Sequence, residues 1–278
     1  MKKLLKDGKN FVFVGAHNPF IARLVEKASF DGIYLSGAGL SNSLGVSDTG
    51  ILDLEDFTYF GKKIAAATKL PVIADADTGF GNVAATVEAY IKAGVAALHI
   101  EDQVFPKRCG HLSGKEVVSI DEMVEKIRAA ARTRDRTGVD FAIIARTDAR
   151  GADNITAGEQ FAEVVKRAIA YKKAGADIIF PESLQSVQEF HSFRQQVEGS
   201  LLANMTEFGK TPLTKAEEFF RLGYQIVIFP VSIFRYLAGE ATRALDILKK
   251  DGNQRNLVPK MMERSEINKL LNYDPKKG

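Results

Sequence analysis

The stretch PVIADADTGFGNVAATVEAYIKAGVAALHIED, residues 71–102, contains the repeating unit that decides the fold. A β-rich apolar run at 71–79 is followed by a helical pattern that ends at Ala93-Gly94, and then by a second apolar run at 96–102. A glycine directly after the last helical residue is a common helix C-cap, and it leaves only a short loop before the next strand. The stretch therefore predicts a strand–helix–strand unit with parallel strands.

Similar units recur along the rest of the chain. Further β-rich apolar runs occur at 11–16, 32–37, 141–148, 177–183, 200–206 and 225–232. Helical patterns separate most of these runs, so that eight predicted strands alternate with helices. This alternation favours a closed (β/α)8 barrel, the TIM barrel, over an open doubly wound sheet. We expect one domain over residues 1–278, with 250–278 forming a polar loop and a last amphipathic helix outside the barrel.

The composition argues against several classes of protein. Lys plus Arg total 38 and Asp plus Glu total 35, so the net charge is only +3. No long basic run is present, and neither nucleic acid nor a membrane is an expected partner. The apolar runs near the N-terminus are too short for a secretion signal or a membrane span, which predicts a soluble cytoplasmic protein. The single cysteine cannot form a disulfide within the chain.

Polar side chains stand where the predicted strands end. In a TIM barrel the carboxyl ends of the strands surround the active site, so these side chains are expected to converge there. In chain order they are Tyr34, Ser36, Gly37 and Ala38, then Asp75 and Asp77, His99 and Glu101, Arg146 and Asp148, Glu182, Asn204 and Thr206, and finally Arg235.

Three carboxylates in this set predict a metal ion. Strand alternation would place Asp75 and Asp77 on one face of the third strand, and Glu101 stands at the end of the fourth. A lone aspartate would more simply cap a helix or end a turn. Three unpaired carboxylates at one mouth, however, repel each other without a cation. Oxygen ligands suit Mg²⁺, with Mn²⁺ as the alternative ion.

Two arginines, Arg146 and Arg235, predict a ligand that carries carboxylates. A guanidinium is planar and always charged, and it binds a carboxylate through two hydrogen bonds. A salt bridge to Glu182 or Asp148 is an equally good interpretation of either arginine taken alone. Together with a metal, the cationic and amide donors indicate a small molecule with more than one carboxylate. Phosphate is less indicated, because no glycine-rich phosphate loop follows the last two strands.

The only cysteine, Cys109, is flanked by Lys107, Arg108 and His111. Positive charge near a thiol lowers its pKa and favours the thiolate. Such a group can exchange a proton with carbon or act as a nucleophile. A lone cysteine is more often inert and buried, but these flanking charges favour a reactive one. Gly110 would let the loop bend over a ligand.

These motifs occur together in one known family. KRCGH at 107–111 resembles the signature loop of the 2-methylisocitrate lyase family, within the isocitrate lyase and phosphoenolpyruvate mutase superfamily. The stretches GIYLSGAGLS at 32–41, DADTGFG at 75–81, HIEDQ at 99–103, IIARTDAR at 143–150, FPE at 180–182 and LANMTEFGKTP at 202–212 are similar to that family too. The joint occurrence is specific, although the segment after DTGFG is shorter than in the family pattern.

The resemblance implies a barrel whose final helix is exchanged between paired subunits, assembled as a homotetramer. It also implies a Mg²⁺-dependent retro-aldol reaction that cleaves a hydroxy-tricarboxylate to succinate and pyruvate. Carried over by motif, Ser36, Gly37 and Ala38 would hold the oxo-acid half, and Asp75 and Asp77 would surround the metal.

The resemblance also implies roles for the remaining residues. Cys109 would supply the proton to the succinate carbanion, and Gly110 would add a backbone contact. The base that takes the hydroxyl proton would be Tyr34 or Asp48, and Lys107 and His111 complete the catalytic set. The substrate carboxylates and oxygens would be bound by Arg146, Glu182, Asn204, Thr206, Arg235 and, in the tail helix, Arg264.

Three alternatives stay open at this point. An isocitrate lyase would release glyoxylate and succinate, and a lyase acting on both acids is reasonable because one methyl group changes binding by only about 1–3 kcal/mol. KRCGH in place of KKCGH, and the short chain, favour the methylated substrate. A phosphoenolpyruvate mutase or oxaloacetate decarboxylase is a more distant alternative, since those relatives lack KRCGH. The last alternative is a catalytically silent barrel that binds organic acids.

Overall fold

The computed structural model of the chain describes Met1, Lys3, Leu5, residues 8–108, Gly110 and residues 114–274. Within these residues, eight parallel strands pair in chain order and the last pairs with the first, which closes the barrel. The strands are β1 Phe11–Gly15, β2 Gly32–Leu35, β3 Val72–Asp75, β4 Ala97–Glu101, β5 Ala142–Thr147, β6 Ile178–Pro181, β7 Ser200–Asn204 and β8 Ile226–Phe229. The predicted (β/α)8 barrel is confirmed.

Helices follow the strands around the outside of the barrel. They are α1 Pro19–Lys27, α2 Gly37–Ser43, α3 Leu54–Ala67, α4 Val83–Lys92, α5 Ile120–Thr137, α6 Gln160–Ala174, α7 Val187–Gln196, α8 Ala216–Leu222, α9 Ser232–Asp251 and α10 Arg264–Leu270. The predicted last helix is α10, which lies against α1, where Arg23 Nη1 donates to the carbonyl oxygen of Leu270 at 3.2 Å. No described helix combines the length and apolar character that crossing a membrane requires.

Strand alternation divides the apolar side chains into two cores. Inward-facing side chains such as Phe13, Ile73 and Ile144 fill the barrel, while outward-facing ones pack under the helices. Met1 belongs to the inner core, and its ammonium group binds Asp140 Oδ2 at 2.8 Å. The interior is therefore filled with apolar side chains, and inward-facing polar groups are left to the carboxyl ends of the strands.

The long helix α9 packs differently from the other barrel helices. None of its residues, all of which the structure describes, is buried, and Tyr236, Leu237 and Leu245 are exposed. A groove of about 590 Å³ lies beside the outer face of β1 and β8, with Val12 and Phe229 in its wall. The helix and the sheet thus both keep exposed apolar surface. Monomeric proteins rarely expose large contiguous apolar patches.

Candidate active site

A small polar cavity opens at the carboxyl ends of the strands. Its volume is about 60 Å³, and its lining is formed by Tyr34, Ser36, Ala38, Asp48, Asp75, Lys107, Arg108, Gly110, Arg146, Glu182, Asn204, Thr206, Pro230, Val231 and Arg235. Most of the residues predicted from the strand ends are in this lining. Small-molecule sites usually measure at least about 300 Å³, so this cavity is small for its kind.

The strand register explains why these side chains meet. Parallel pairing places Asp75 beside His99, and Glu101 beside Arg146. Asp77 does not follow the predicted strand alternation, because β3 ends at Asp75 and Asp77 has φ +43°. Aspartate tolerates this left-handed conformation, and the Asp77 N–H donates to Asp75 Oδ1 at 3.0 Å. A turn, and not the strand, brings the two carboxylates together.

Lys107 lies between carboxylates at the edge of the cavity. Its Nζ is 2.7 Å from Asp77 Oδ1 and also pairs with Asp48. Burial lowers the pKa of Lys107, but Asp75 and Asp77 outweigh burial and raise it above the usual lysine range. The ammonium group stays charged, and its charge compensates these carboxylates. It is therefore less available to the thiol of Cys109 than the sequence suggested.

Arg146 is held by three carboxylates of its own chain. Its Nε and Nη2 donate to Asp148 at 2.8 and 3.1 Å. Its Nη1 lies 3.1 Å from Glu101 Oε2, and its Nη2 lies 3.6 Å from Glu182 Oε2. The salt-bridge interpretation of Arg146 is thus confirmed, and the carboxylates fix the guanidinium in the cavity wall.

The predicted set of three metal-binding carboxylates is arranged differently from the expectation. Glu101 pairs with Arg146 and Asp77 pairs with Lys107, so the carboxylates are not unpaired. In the part of the chain that the structure describes, no group of three or more His, Cys, Asp or Glu side chains forms a metal cluster. The sequence argument treated the acids as unpaired because it did not place two cations of the chain between them, and the metal ion itself stays a prediction.

The electrostatics of the adjacent aspartates differ strongly. Burial raises the pKa of Asp75, but His99 and Lys107 outweigh burial and lower it to about 2. Burial and the charge of Asp75 raise the pKa of Asp77 to about 7, against the opposing effect of Lys107. Burial lowers the pKa of His99 to about 4, so the imidazole is uncharged at neutral pH. Lys107 and Arg146 are then the cations that keep Asp75 ionised.

Tyr34 and His99 form a buried pair below the cavity. Tyr34 Oη lies 2.6 Å from His99 Nε2. His99 Nδ1 is buried and has no hydrogen-bond partner among the described residues. Placing the imidazole hydrogen on Nε2 avoids a buried N–H without an acceptor, so we assign His99 as the donor to Tyr34. Burial and the charge of Asp75 raise the pKa of Tyr34 well above 10, which keeps its hydroxyl protonated.

The segment after β2 wraps around Asp75. The Gly37 N–H donates to Asp75 Oδ2 at 3.1 Å, and a methyl group on Gly37 would lie 2.7 Å from the same oxygen. Glycine is therefore required by this close approach. The Ser36 hydroxyl accepts from the Gly39 N–H at 3.2 Å and caps α2. Ser36 and Ala38 face the cavity, as predicted.

The far wall of the cavity joins β7 to α9. Asn204 Nδ2 donates to Glu182 at 3.2 Å, and Arg235 Nη1 donates to Thr206 Oγ1 at 3.1 Å. Arg235 Nη1 also lies 3.1 Å from Glu207 Oε2. Its salt bridge is therefore to Glu207, and not to Glu182 or Asp148. Sequence reasoning did not select Glu207, although it lies next to Thr206 in the chain.

Three predicted residues lie away from this arrangement or outside the described residues. Arg264 is the exposed first residue of α10. Other α10 residues line a groove with the C-terminal end of α3, at the opposite end of the barrel. The structure does not bring Arg264 to the mouth of its own barrel, and its contact with substrate stays a prediction. Cys109 and His111 lie outside the described residues.

The closed barrel and its charged mouth define an enzyme of the TIM-barrel type. The family profile of phosphoenolpyruvate phosphomutase matches residues 1–248. The chain belongs to this family, within the phosphoenolpyruvate mutase and isocitrate lyase superfamily. The superfamily predicted from the sequence motifs is confirmed.

Sequence similarity to individual relatives narrows the type of enzyme within the superfamily. The chain is 44% identical to a 2-methylisocitrate lyase of Aeropyrum pernix, over 98% of this chain and 86% of that protein. It is 43% identical to a 2,3-dimethylmalate lyase of Eubacterium barkeri, over 99% of this chain and 93% of the relative. The similarity to these relatives shows that the protein is a carbon–carbon lyase of the superfamily.

Solved structures agree with this class. A 2,3-dimethylmalate lyase superimposes with a TM-score of 0.89 at 38% identity, covering 97% of this chain and 89% of that one. An oxaloacetate acetylhydrolase in complex with 3,3-difluorooxalacetate superimposes with a TM-score of 0.90 at 34% identity, covering 97% and 91%. The fold is therefore shared by relatives with more than one reaction, and the substrate must be argued from the site.

Proposed function

We propose that the protein cleaves 2-methylisocitrate to pyruvate and succinate by a retro-aldol reaction. The observation that carries the proposal is the convergence of Arg146, Arg235 and Asp75 at one cavity, with Asp77 hydrogen-bonded to Asp75 through its backbone N–H. A hydroxy-tricarboxylate offers carboxylates to the arginines and oxygen ligands to a metal. The similarity to 2-methylisocitrate lyases supports the methylated acid as the substrate.

Asp75 and Asp77 fit a divalent cation. They are buried and adjacent, and burial together with the charge of Asp75 raises the pKa of Asp77 against the opposing effect of Lys107. Glu101 Oε1 is also buried and has no hydrogen-bond partner among the described residues. We assign the two aspartates as ligands of Mg²⁺, or of Mn²⁺, with waters completing the coordination. When bound, the ion would polarise the oxygen that becomes the pyruvate carbonyl.

The remaining steps, which are two proton transfers and the stabilisation of the developing charge, are assigned to side chains of the protein. Asp48 accepts the proton of the substrate hydroxyl, while Tyr34 stays protonated because of its raised pKa. The carbon–carbon bond then breaks, and its electron pair leaves on the succinate half. Arg146 and Arg235 stabilise the charge that develops on the carboxylate next to that carbon. Cys109 gives its thiol proton to the carbanion, and exchange with solvent restores both acid and base.

The proposal is tested by kcat/KM for 2-methylisocitrate, isocitrate and 2,3-dimethylmalate, each with Mg²⁺ and with EDTA. We expect 2-methylisocitrate to be preferred over isocitrate by about 10-fold or more, as one methyl group in a fitted pocket allows. EDTA should remove the activity. Comparable rates with isocitrate would indicate a dual lyase. A preference for 2,3-dimethylmalate, or no turnover by folded protein, would contradict the proposal.

Mg²⁺ is expected to raise the melting temperature more at pH 8 than at pH 5. The pKa of Asp77 is about 7 in the folded protein and ordinarily 3.8, so raising the pH through 7 ionises it at a cost to the folded state. Stability without metal therefore falls as the pH rises through this range. A bound cation offsets that loss, by about 2.7 kcal/mol at one hundred times its Kd.

This prediction is checked by thermal unfolding with and without Mg²⁺ at both pH values. Asp77→Asn should lose the response to Mg²⁺ at pH 8, because the ligand charge is gone. Asp121→Asn, an exposed change on α5, should keep it. An equal effect of Mg²⁺ on the Asp77→Asn protein and the unchanged protein would rule out Asp77 as a ligand.

We also propose that α9 packs on a second copy of the chain, within a homotetramer. Tyr236, Leu237 and Leu245 are exposed on the helix, and an apolar groove lies beside β1 and β8. Covering each groove with the α9 of a partner buries both apolar surfaces. In this assembly we assign Arg264 to the mouth of a neighbouring subunit, since it does not reach its own.

Leu245→Asp is expected to shift the protein from a tetramer toward a monomer. A buried, unpaired carboxylate in an apolar helix contact costs several times more than a lost methyl group. Light scattering after gel filtration measures the change. Val139→Asp, at a residue that is 49% exposed in the α5–β5 loop, is the matched control and should stay tetrameric. A monomeric starting protein would contradict the exchange of α9.

A further inference from the structure

A buried carboxylate that the proposed chemistry does not use lies behind the cavity wall. Asp102 directly follows β4 and is fully buried. Its Oδ2 accepts from Tyr171 Oη at 2.7 Å and from Arg167 Nη1 at 3.0 Å, and both donors are buried residues of α6. Arg167 Nε in turn donates to Glu163 Oε1 at 3.0 Å. A buried charge is costly unless it is paired and hydrogen-bonded, so a cluster of this kind needs a reason to be there.

Asp102 holds the end of β5 through two hydrogen bonds to the main chain. Its N–H donates to the carbonyl oxygen of Arg146 at 3.2 Å, and its Oδ1 accepts from the Asp148 N–H at 2.8 Å. The two residues held in this way are the pair that meets at the cavity, since Arg146 donates to Asp148 through Nε and Nη2. A shift of the Asp148 main chain would therefore move the carboxylate that orients the guanidinium.

The side chain of Asp148 is held separately from its main chain. Lys115 Nζ donates to Asp148 Oδ1 at 3.2 Å. Lys115 and Ser183 also both donate to the carbonyl oxygen of Gly110, at 2.7 and 2.8 Å. Arg146 and Lys115 thus fix the carboxylate, whereas Asp102 fixes the main chain. The rate of an enzyme depends strongly on such placement, because a displacement of about 1 Å can cost about 100-fold.

A second cluster with the same design lies at the opposite end of β5. Asp177, which precedes β6, accepts from the Ile143 N–H at 2.8 Å and donates its own N–H to the Ile143 carbonyl oxygen at 2.8 Å. Arg134 of α5 pairs with the same carboxylate. Arg134 and Arg167 are matched in burial, at 6% and 5% exposed. Each arginine thus joins a helix to β5 through an aspartate, but only Arg167 acts next to Arg146.

We propose that Arg167 and Tyr171 are positioning residues, which act through Asp102 to fix the main chain that carries Arg146 and Asp148. Neither residue lines the cavity. Helix α6 thereby sets the orientation of a guanidinium inside the mouth from the outside of the barrel. The catalytic consequence rests on the proposed function, whereas the hold on the end of β5 does not.

Hydrogen–deuterium exchange, resolved to single residues by mass spectrometry, tests the hold on β5 without any turnover. In Arg167→Met we expect the Asp148 N–H to exchange about 10-fold faster or more, because Asp102 loses a charged donor. Tyr171→Phe removes a neutral hydroxyl and keeps the ring, and it should raise the exchange rate of the same N–H by about 3-fold.

Two matched variants control for a general loss of stability. Arg134→Met should raise the exchange rate of the Ile143 N–H and leave that of the Asp148 N–H unchanged. Tyr224 is a fully buried tyrosine whose hydroxyl donates to the carbonyl oxygen of Phe190 at 3.1 Å. Tyr224→Phe should change the exchange rate of neither strand N–H. We therefore expect a crossed pattern, in which each arginine variant affects only the N–H bound by its own aspartate.

Turnover of 2-methylisocitrate gives the second readout. We expect kcat to fall by about 100-fold in Arg167→Met and by about 10-fold in Tyr171→Phe. KM should rise less than kcat falls, because the charge that Arg146 stabilises develops only as the carbon–carbon bond breaks. Arg134→Met and Tyr224→Phe should keep the kcat of the unchanged protein.

Equal effects of Arg167→Met and Arg134→Met on the Asp148 N–H would overturn the proposal, as would no effect of folded Arg167→Met and Tyr171→Phe. A crossed pattern in an active enzyme whose kcat stays unchanged would overturn it as well. If Arg167→Met does not fold, the comparison of Tyr171→Phe with Tyr224→Phe decides the question in the same way. The crossed pattern in a protein that cleaves no acid would support the hold on β5 and refute only the proposed function.

Discussion

Replacement of Arg146 by methionine is expected to lower the free energy of unfolding by about 3–5 kcal/mol and to abolish turnover. Arg146 is 8% exposed, and its guanidinium forms salt bridges with Asp148, Glu101 and Glu182. Methionine fills a similar volume but carries no charge, so these buried carboxylates lose their common cation. The substrate carboxylate loses its partner in the cavity wall at the same time.

Urea unfolding of the two proteins at pH 8 and pH 5 checks this result. The loss of unfolding free energy should be smaller at pH 5. Burial raises the pKa of Glu101 well above its usual range, so Glu101 takes up a proton more readily at pH 5, and a neutral Glu101 does not need the cation that the variant lacks. Arg136→Met is the matched control, since Arg136 pairs with Glu88 in a salt bridge whose arginine side chain is 68% exposed. Such exposed pairs contribute at most about 1 kcal/mol. Equal losses for the two arginines would contradict the assigned role of Arg146.

Replacement of Cys109 by serine is expected to lower kcat by about 10²–10⁴-fold, the usual contribution of general acid–base catalysis. A serine hydroxyl is a far weaker acid than a thiol and cannot protonate the carbanion at a useful rate. Binding should be nearly unchanged, because the arginines and carboxylates of the cavity remain in place. Steady-state kinetics with 2-methylisocitrate and calorimetric titration with succinate separate the two effects.

The outcome also separates an enzyme from a silent barrel. A lyase loses turnover in Cys109→Ser while keeping its affinity for succinate, whereas a binding protein has no turnover to lose. Arg108→Gln is a useful companion variant, because Lys107 is already engaged by Asp48 and Asp77, whereas Arg108 forms no ion pair with the residues that the structure describes. Full lyase activity in Cys109→Ser would refute the thiol as the proton donor.

Much of the site could be predicted from residue order alone. Parallel strands of a barrel end at one mouth, so a polar residue at the end of each strand predicts a shared cavity without knowledge of any contact. Asp75, Arg146 and Asn204 were placed correctly for this reason. Asp77 was placed by the wrong argument, because a left-handed residue after β3 ended the alternation that the prediction extended.

The sequence did not allow us to predict which charged side chains pair with each other. Lys107 and Asp48 are separated by 59 positions, and Ser183 and Gly110 by 73. Nothing in their spacing predicts contact, because such partners meet only through the course of the loops between the strands. Sequence reasoning therefore expected unpaired acids, and it passed over Lys115, Ser183 and Glu207 altogether.

The alternation of apolar runs, the polar strand ends and the motifs of the family are properties of the sequence by itself. They determined the barrel, its mouth and the superfamily, because strand and helix periods are local and the barrel brings all strand ends together. Only the tertiary structure decided which cation lies between which acids, which side chains donate to the carbonyl of Gly110, and that α9 buries none of its residues. These features depend on distances between segments far apart in the chain, and residue spacing does not specify those distances.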